Sequence, residues 1–280
     1  MSAADEAIAS VQAKAAGSSF YAGMRVLPKA EREAMFVVYA FCRAVDDIAD
    51  DMEGPRDERA TALAGWRKDI EALYAGEDPG RAALVADIVP RYCLEKDDFL
   101  AVIDGMQMDV DADIRAPDMR TLDLYCDRVA SAVGRLSVRI FGMDEHPGIE
   151  LARHLGRALQ LTNILRDIDE DAEIGRLYLP RELLRSAGIE TDEPTIVVAD
   201  PRVDGACREL AELAHQHYAA ADRVMAARPK GRLAAPRLMG AVYSRILRKT
   251  EAVGWAPPRV RAKIGKGELL WVVLRRGLFG

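Results

Sequence analysis

Two acidic segments carry residue types that could do chemistry. Arg43-Ala44-Val45-Asp46-Asp47-Ile48-Ala49-Asp50-Asp51 sets Asp46 and Asp50 four residues apart, with Asp47 and Asp51 as a second such pair. On a helix each pair lies one turn apart on a single face. Like charges at that spacing destabilise a bare helix by about 0.2–0.5 kcal/mol, and the end of a helix disfavours anions. Propensity gives no reason for them. In the second segment Gln160, Asn163, Asp167 and Asp171 follow spacings of three, four and four, a polar stripe between the apolar pairs Leu161/Leu165 and Ile164/Ile168. Such a stripe faces either solvent or a polar cavity. Its amides favour the cavity, because solvated faces are filled with Lys and Glu instead. Hard oxygen ligands suit Mg²⁺, which takes one or two carboxylates and completes its shell with phosphate oxygens and water. Two facing DxxxD helices with Mg²⁺ make a site for ionising an allylic diphosphate. The plainer alternative is a pair of solvated helix ends.

The elements that must position these residues read as helices almost throughout. Residues 29–51 carry Met35, Val38, Tyr39, Cys42 and Val45 at three- and four-residue spacing, after Pro28 and before Gly54-Pro55. Further helices are predicted at 4–16, 57–75, 80–92, 95–110, 118–141, 148–172, 180–187, 202–228 and 231–254, with prolines near the junctions. Thr195-Ile196-Val197-Val198, between Pro194 and Pro201, is read as a connector. No long Gly/Ser/Pro run and no fixed-period repeat divides the chain. The expectation is one all-α domain over 1–280, a helical bundle around a central apolar cavity, with a basic and apolar tail at 257–280.

Composition sets outer limits. The 280 residues are 50% hydrophobic and 30% charged, ample for a large core and unlike a disordered chain. The net charge of −6 is uneven: residues 228–280 carry thirteen Lys/Arg against two acids, leaving −17 on the rest. An acidic body argues against a nucleic-acid binder. The four cysteines lack any CxxC spacing and read as reduced thiols, and the four histidines as surface or structural residues. MSAADEAIAS shows no export-signal pattern, and no apolar run is long enough to span a bilayer. A cytoplasmic protein is expected. In the tail, Arg259, Arg261, Lys263, Lys266, Arg275 and Arg276 surround Leu269–Leu274, which either lies at a membrane surface or packs as a last helix on the body.

The pattern Y-x-x-C-R-x-x-D-D-x-x-D at Tyr39–Asp50 and Q-L-T-N-I-L-R-D-x-x-E-D at Gln160–Asp171 resembles the squalene/phytoene synthases, the head-to-head prenyltransferases. Gly175–Pro180 continues the second motif as that family does. Ser18-Ser19-Phe20-Tyr21, Leu27-Pro28, Tyr125-Cys126 and Val133-Gly134 also match. The likeness covers about 15–255. The wording of 164–182 and 241–261 is nearest the bacterial hopanoid-pathway branch.

The resemblance implies an isoprenoid-synthase bundle with Asp46, Asp50, Asn163, Asp167 and Asp171 binding Mg²⁺, or Mn²⁺ in its place. Gln160 would line the cavity. Ser19, Phe20, Tyr39, Arg43, Arg176, Tyr178 and Arg259 would contact substrate, and Tyr125 and Tyr243 the diphosphate or the reacting carbons. Arg43 also has an i,i+3 salt bridge to Asp46 open to it. The implied reaction joins two farnesyl diphosphates through a 1′-2-3 condensation into a cyclopropylcarbinyl diphosphate, with no NADPH in this first half-reaction. The product would pass to downstream squalene or hopanoid enzymes. Released diphosphate or a tyrosine hydroxyl would accept the proton. Phytoene or dehydrosqualene synthesis and non-catalytic lipid binding are the alternatives.

Overall fold

The computed structural model describes residues 23–24, 26–50, 54–263 and 265. Ser19, Phe20, Asp51, the 4–16 helix and nearly all of the 264–280 segment lie outside the described residues. The described chain is all-α, running α1 (Lys29–Ala49), α2 (Arg56–Ala75), a 3₁₀ turn (Gly80–Leu84), α3 (Ile88–Tyr92), α4 (Lys96–Asp111), α5 (Met119–Cys126), a π turn (Asp127–Ser131), α6 (Ala132–Ile140), α7 (Glu145–Arg166), α8 (Ile168–Glu173), α9 (Arg181–Ser186), α10 (Pro194–Ala199), α11 (Val203–Ala226) and α12 (Ala234–Val253). Among the described residues no strand forms, and one isolated bridge pairs Arg115 with Leu177. No helix among them is long and apolar enough to cross a membrane.

The predicted 148–172 helix is two helices broken at Asp167, whose φ of −108° and ψ of 19° leave the helical region. Register survives the break. The Asp167 amide still donates to the Asn163 carbonyl and the Asp171 amide to the Asp167 carbonyl, both at 2.9 Å. The 118–141 rod contains the π turn, which α4 and α7 hold from either side. Glycine permits that approach: a Cβ on Gly105 would stand 2.6 Å from Val129 Cγ1, and one on Gly156 2.7 Å from Ser131 Cα. The 195–198 segment, expected to be a connector, is helix α10. Pro194 starts it at a position where a missing N–H costs nothing. Val197 is fully buried, and α10 packs on α8 and α11.

Two apolar clusters form the interior. One joins α1, α2, α4 and α6 around Phe41, Leu63 and Phe99. The other joins α5, α7, α8 and α11 around Leu161, Leu165 and Leu210. Val129 and Met143 touch both. Helix α7 is the central element, contacting α5, α6, α11, α12 and the π turn. A cavity of about 380 Å³ opens where the two clusters meet.

Candidate active site

The cavity walls come from α1, α4, α5, the π turn, α6, α7 and α12. Tyr39, Arg43, Asp46, Tyr125, Gln160, Asn163 and Tyr243 line its polar part, and Val129, Val133, Leu159 and Met239 its apolar part. Val133, Gly156, Leu159 and Met239 also border a deeper, almost wholly apolar space of about 100 Å³ that ends among Met35, Phe141 and Leu151. A hydrocarbon chain fits such walls, and a charged head fits the mouth.

The first motif ends α1, where the helix dipole opposes anions. Two buried arginines offset that. Arg59 donates to the Ala49 carbonyl at 3.0 Å and Arg176 donates to it at 3.1 Å. Arg176 also donates to Asp50 Oδ1 at 2.9 Å. Arg43 forms the expected bridge to Asp46, 2.5 Å, and also grips Asp47. Burial, and then the neighbouring Asp50, push the Asp46 carboxyl up to about 6.

On the second motif, burial and then Asp167 push Asp171 up to about 7. Asp167 takes hydrogen bonds from Arg166 Nε at 2.7 Å and from Arg261 Nε at 2.8 Å. Gln160 and Asn163 contact each other at 3.4 Å, but Asn163 Oδ1 is buried without a partner. An orphaned amide oxygen is costly unless a cation or donor completes it. Among the described residues no three His, Cys, Asp or Glu are already gathered into a metal cage. The donor set instead suits an ion that takes few protein ligands and brings its own phosphate and water.

Between the motifs stands a carboxylate that the sequence reading missed. Asp109, on α4 and 4% exposed, accepts from Tyr178 OH at 2.9 Å and from Tyr125 OH at 3.0 Å. The two rings stack with centroids 5.0 Å apart. Burial raises the Asp109 carboxyl, and Arg176 and the two phenols oppose the rise. Its signal was legible: Asp109 is an acid beside the apolar stripe Phe99, Val102, Met106 and Val110.

Tyr243 faces Arg166, and burial raises its phenol while that cation lowers it. Arg259 does not reach the cavity lining. Its side chain is 8% exposed, pairs with Asp169, and donates to the carbonyls of Trp255 at 2.5 Å and Val198 at 2.8 Å. It fastens the end of the described chain to α8 and α10. The four cysteines are unpaired. His154 of α7 meets His217 of α11 at 2.9 Å between Nδ1 atoms, and His215 pairs with Glu251.

Arg43 and Asp46 at the mouth of an apolar well make a site suited to a ligand with an ionic head and an apolar tail. The family model described as squalene/phytoene synthase matches residues 13–268. The chain therefore belongs to the squalene/phytoene synthase family, whose members are prenyltransferases. It is 63% identical to the presqualene diphosphate synthase of Zymomonas mobilis, over 93% of this chain and 89% of that one. It is 58% identical to the presqualene diphosphate synthase of Rhodopseudomonas palustris, over 94% of each. In structure it matches a dehydrosqualene synthase solved in complex with ligand, with TM-score 0.81 and 23% identity over 99% of this chain and 97% of that one, a likeness of fold.

Proposed function

We propose that this chain joins two farnesyl diphosphates head to head into presqualene diphosphate. The observation that carries the proposal is that Asp46 of the first motif and Gln160 and Asn163 of the second line one cavity with an apolar continuation. The identity to presqualene diphosphate synthases supports the choice of substrate.

Asp46, Asp50, Asn163, Asp167 and Asp171 would hold Mg²⁺, or Mn²⁺ in its place. The partnerless Asn163 Oδ1 and the crowded carboxylates suit a divalent cation. Bound there, the ion supplies Lewis-acid stabilisation of a diphosphate leaving group. Arg43 adds fixed positive charge at the cavity wall, where leaving-group charge develops, and Arg176 holds Asp50 in place.

In the reaction, the C1–O bond of one substrate breaks and its electron pair leaves with diphosphate. The C2–C3 π pair of the second substrate forms the new carbon–carbon bond to the resulting allylic cation. Loss of a proton from C1 of the first substrate, the carbon that was attacked, then leaves the C–H pair to close the cyclopropane onto C3 of the second. The residues Val129, Val133, Leu159 and Met239 hold the chains together and exclude water that would trap the cation. The protein works without NADPH up to this product, and downstream squalene or hopanoid enzymes consume it. We place it in the cytoplasm as a one-domain enzyme with peripheral contact to the membrane surface that stores such lipids.

The test is incubation with farnesyl diphosphate and Mg²⁺ without NADPH, with products identified by mass spectrometry. Presqualene diphosphate is the expected product, and Asp46→Asn and Asp167→Asn variants should not form it. Consumption of geranylgeranyl diphosphate alone, to a C40 product, would overturn the choice of substrate. Full activity in both Asn variants would overturn the role given to the motifs.

A further inference from the structure

The geometry points to Asp109 as a positioning residue that acts through Tyr125 on the fate of the carbocation. The inference rests on the reading of the site given above, and adds to it a residue from neither aspartate motif.

Three observations converge on Asp109. Each of its oxygens takes the hydroxyl of a different tyrosine, Oδ2 that of Tyr125 and Oδ1 that of Tyr178. Only Tyr125 of this trio lines the cavity. The Tyr178 ring stacks on the Tyr125 ring, and the two hydroxyl oxygens are 3.3 Å apart. A phenol has one proton to give. With that proton directed at Asp109, the Tyr125 oxygen keeps its lone pairs for the cavity, at a fixed orientation.

That orientation has a chemical consequence. A cationic intermediate is stabilised by lone pairs and repelled by the hydrogen of an O–H group. A Tyr125 hydroxyl free to rotate would present either. Held by Asp109, it presents the oxygen only, and no reorganisation is needed when the cation forms. The Arg176 side chain gives the carboxylate a counter-charge, and Arg176 also holds Asp50, so the tyrosine pair is tied to the first motif. Burial keeps both phenols protonated, so each remains a donor.

Asp109→Asn keeps the size of the side chain but replaces one acceptor oxygen by a donor NH₂, which cannot accept a phenol proton. Ionisation of the first substrate should then continue, while more of the cation is lost to water. The experiment follows purified protein with farnesyl diphosphate and Mg²⁺, measuring diphosphate release and the ratio of C15 alcohols to C30 diphosphate. In D109N the ratio is expected to rise about tenfold, with diphosphate release reduced far less. The same substitution in a Tyr125→Phe background should leave the ratio where Y125F alone puts it, because the effect travels through Tyr125.

An unchanged ratio in D109N would overturn the inference, and so would an equal rise in both backgrounds. Should D109N not accumulate as folded protein, Asp109→Glu is read in the same cycle. It keeps the charge opposite Arg176 and displaces the acceptor oxygens by one methylene. Absence of diphosphate release from the unaltered protein is a separate result, and removes the functional reading on which the inference stands.

Discussion

Arg176 donates to Asp50 at 2.9 Å and to the Ala49 carbonyl at 3.1 Å, joining the turn after the second motif to the end of the helix that carries the first. Asp50 and Arg176, 126 positions apart in the chain, are thus joined by one guanidinium fork. The short backbone pairing of Leu177 with Ile114 and Ala116 holds the fork in place. Lysine keeps the charge and loses the fork. Arg176→Lys is expected to lower kcat/KM by about 10²-fold. Steady-state kinetics on farnesyl diphosphate checks this, and an unchanged kcat/KM would show that the fork is only structural.

Asp171 makes a prediction about stability and pH. Its carboxyl lies at about 7 in the folded protein, raised by burial and by Asp167. An unfolded aspartate titrates near ~3.9. Between those values the folded state holds a proton that the unfolded state has lost, so stability falls as pH rises through the window. Asp171→Asn removes this loss. Without metal, its advantage in Tm over the unaltered protein should grow from about pH 4 to 7 and stay level above, while its activity disappears. Thermal melts across that range decide the point. A constant difference would refute the assignment.

His217 works in the opposite direction. Burial, and then His154, push its imidazole down to about 4. Arg153 and Arg157 also oppose its protonation, and Asp123 favours it. The unfolded residue takes up its proton near ~6.5. Stability that is present above that value is therefore lost as pH falls toward 4. His217→Asn should flatten this acid limb, with about 1–2 kcal/mol regained at pH 5 relative to pH 7.5. Denaturant midpoints at the two pH values measure it.

Gly156 gives a packing prediction. A methyl group there would meet Ser131 Cα at 2.7 Å and Ser131 N at 2.8 Å, and backbone has no rotamer to move away. Gly156→Ala should cost about 1–3 kcal/mol by forcing α7 from the π turn. Because Gly156 borders both the cavity and its apolar extension, turnover should fall as well. Chemical denaturation with parallel turnover assays tests both effects.

Much of this protein is written in its local sequence. The apolar periodicity of residues 29–49 and 203–226 is a property of consecutive side chains, and it marks those helices without reference to anything distant. The two DxxxD pairs are equally local, since i,i+4 spacing alone puts their carboxylates on one face. Arg43 and its bridge to Asp46 follow from the same arithmetic.

Tertiary structure alone decided what lies between the motifs. Asp109, Tyr125 and Tyr178 belong to three separate segments, and only folding brings their oxygens within 2.9–3.3 Å. The His154–His217 pair exists because α7 lies against α11. The helix break at Asp167 goes with the arginines, Arg166 and Arg261, that claim its carboxylate. Arg259, a substrate contact by resemblance, sits on Asp169 because α8 and α10 offer it a carboxylate and a carbonyl together. Helical periodicity records which way a side chain points along its own helix. What waits on the facing helix is a property of how the bundle closes.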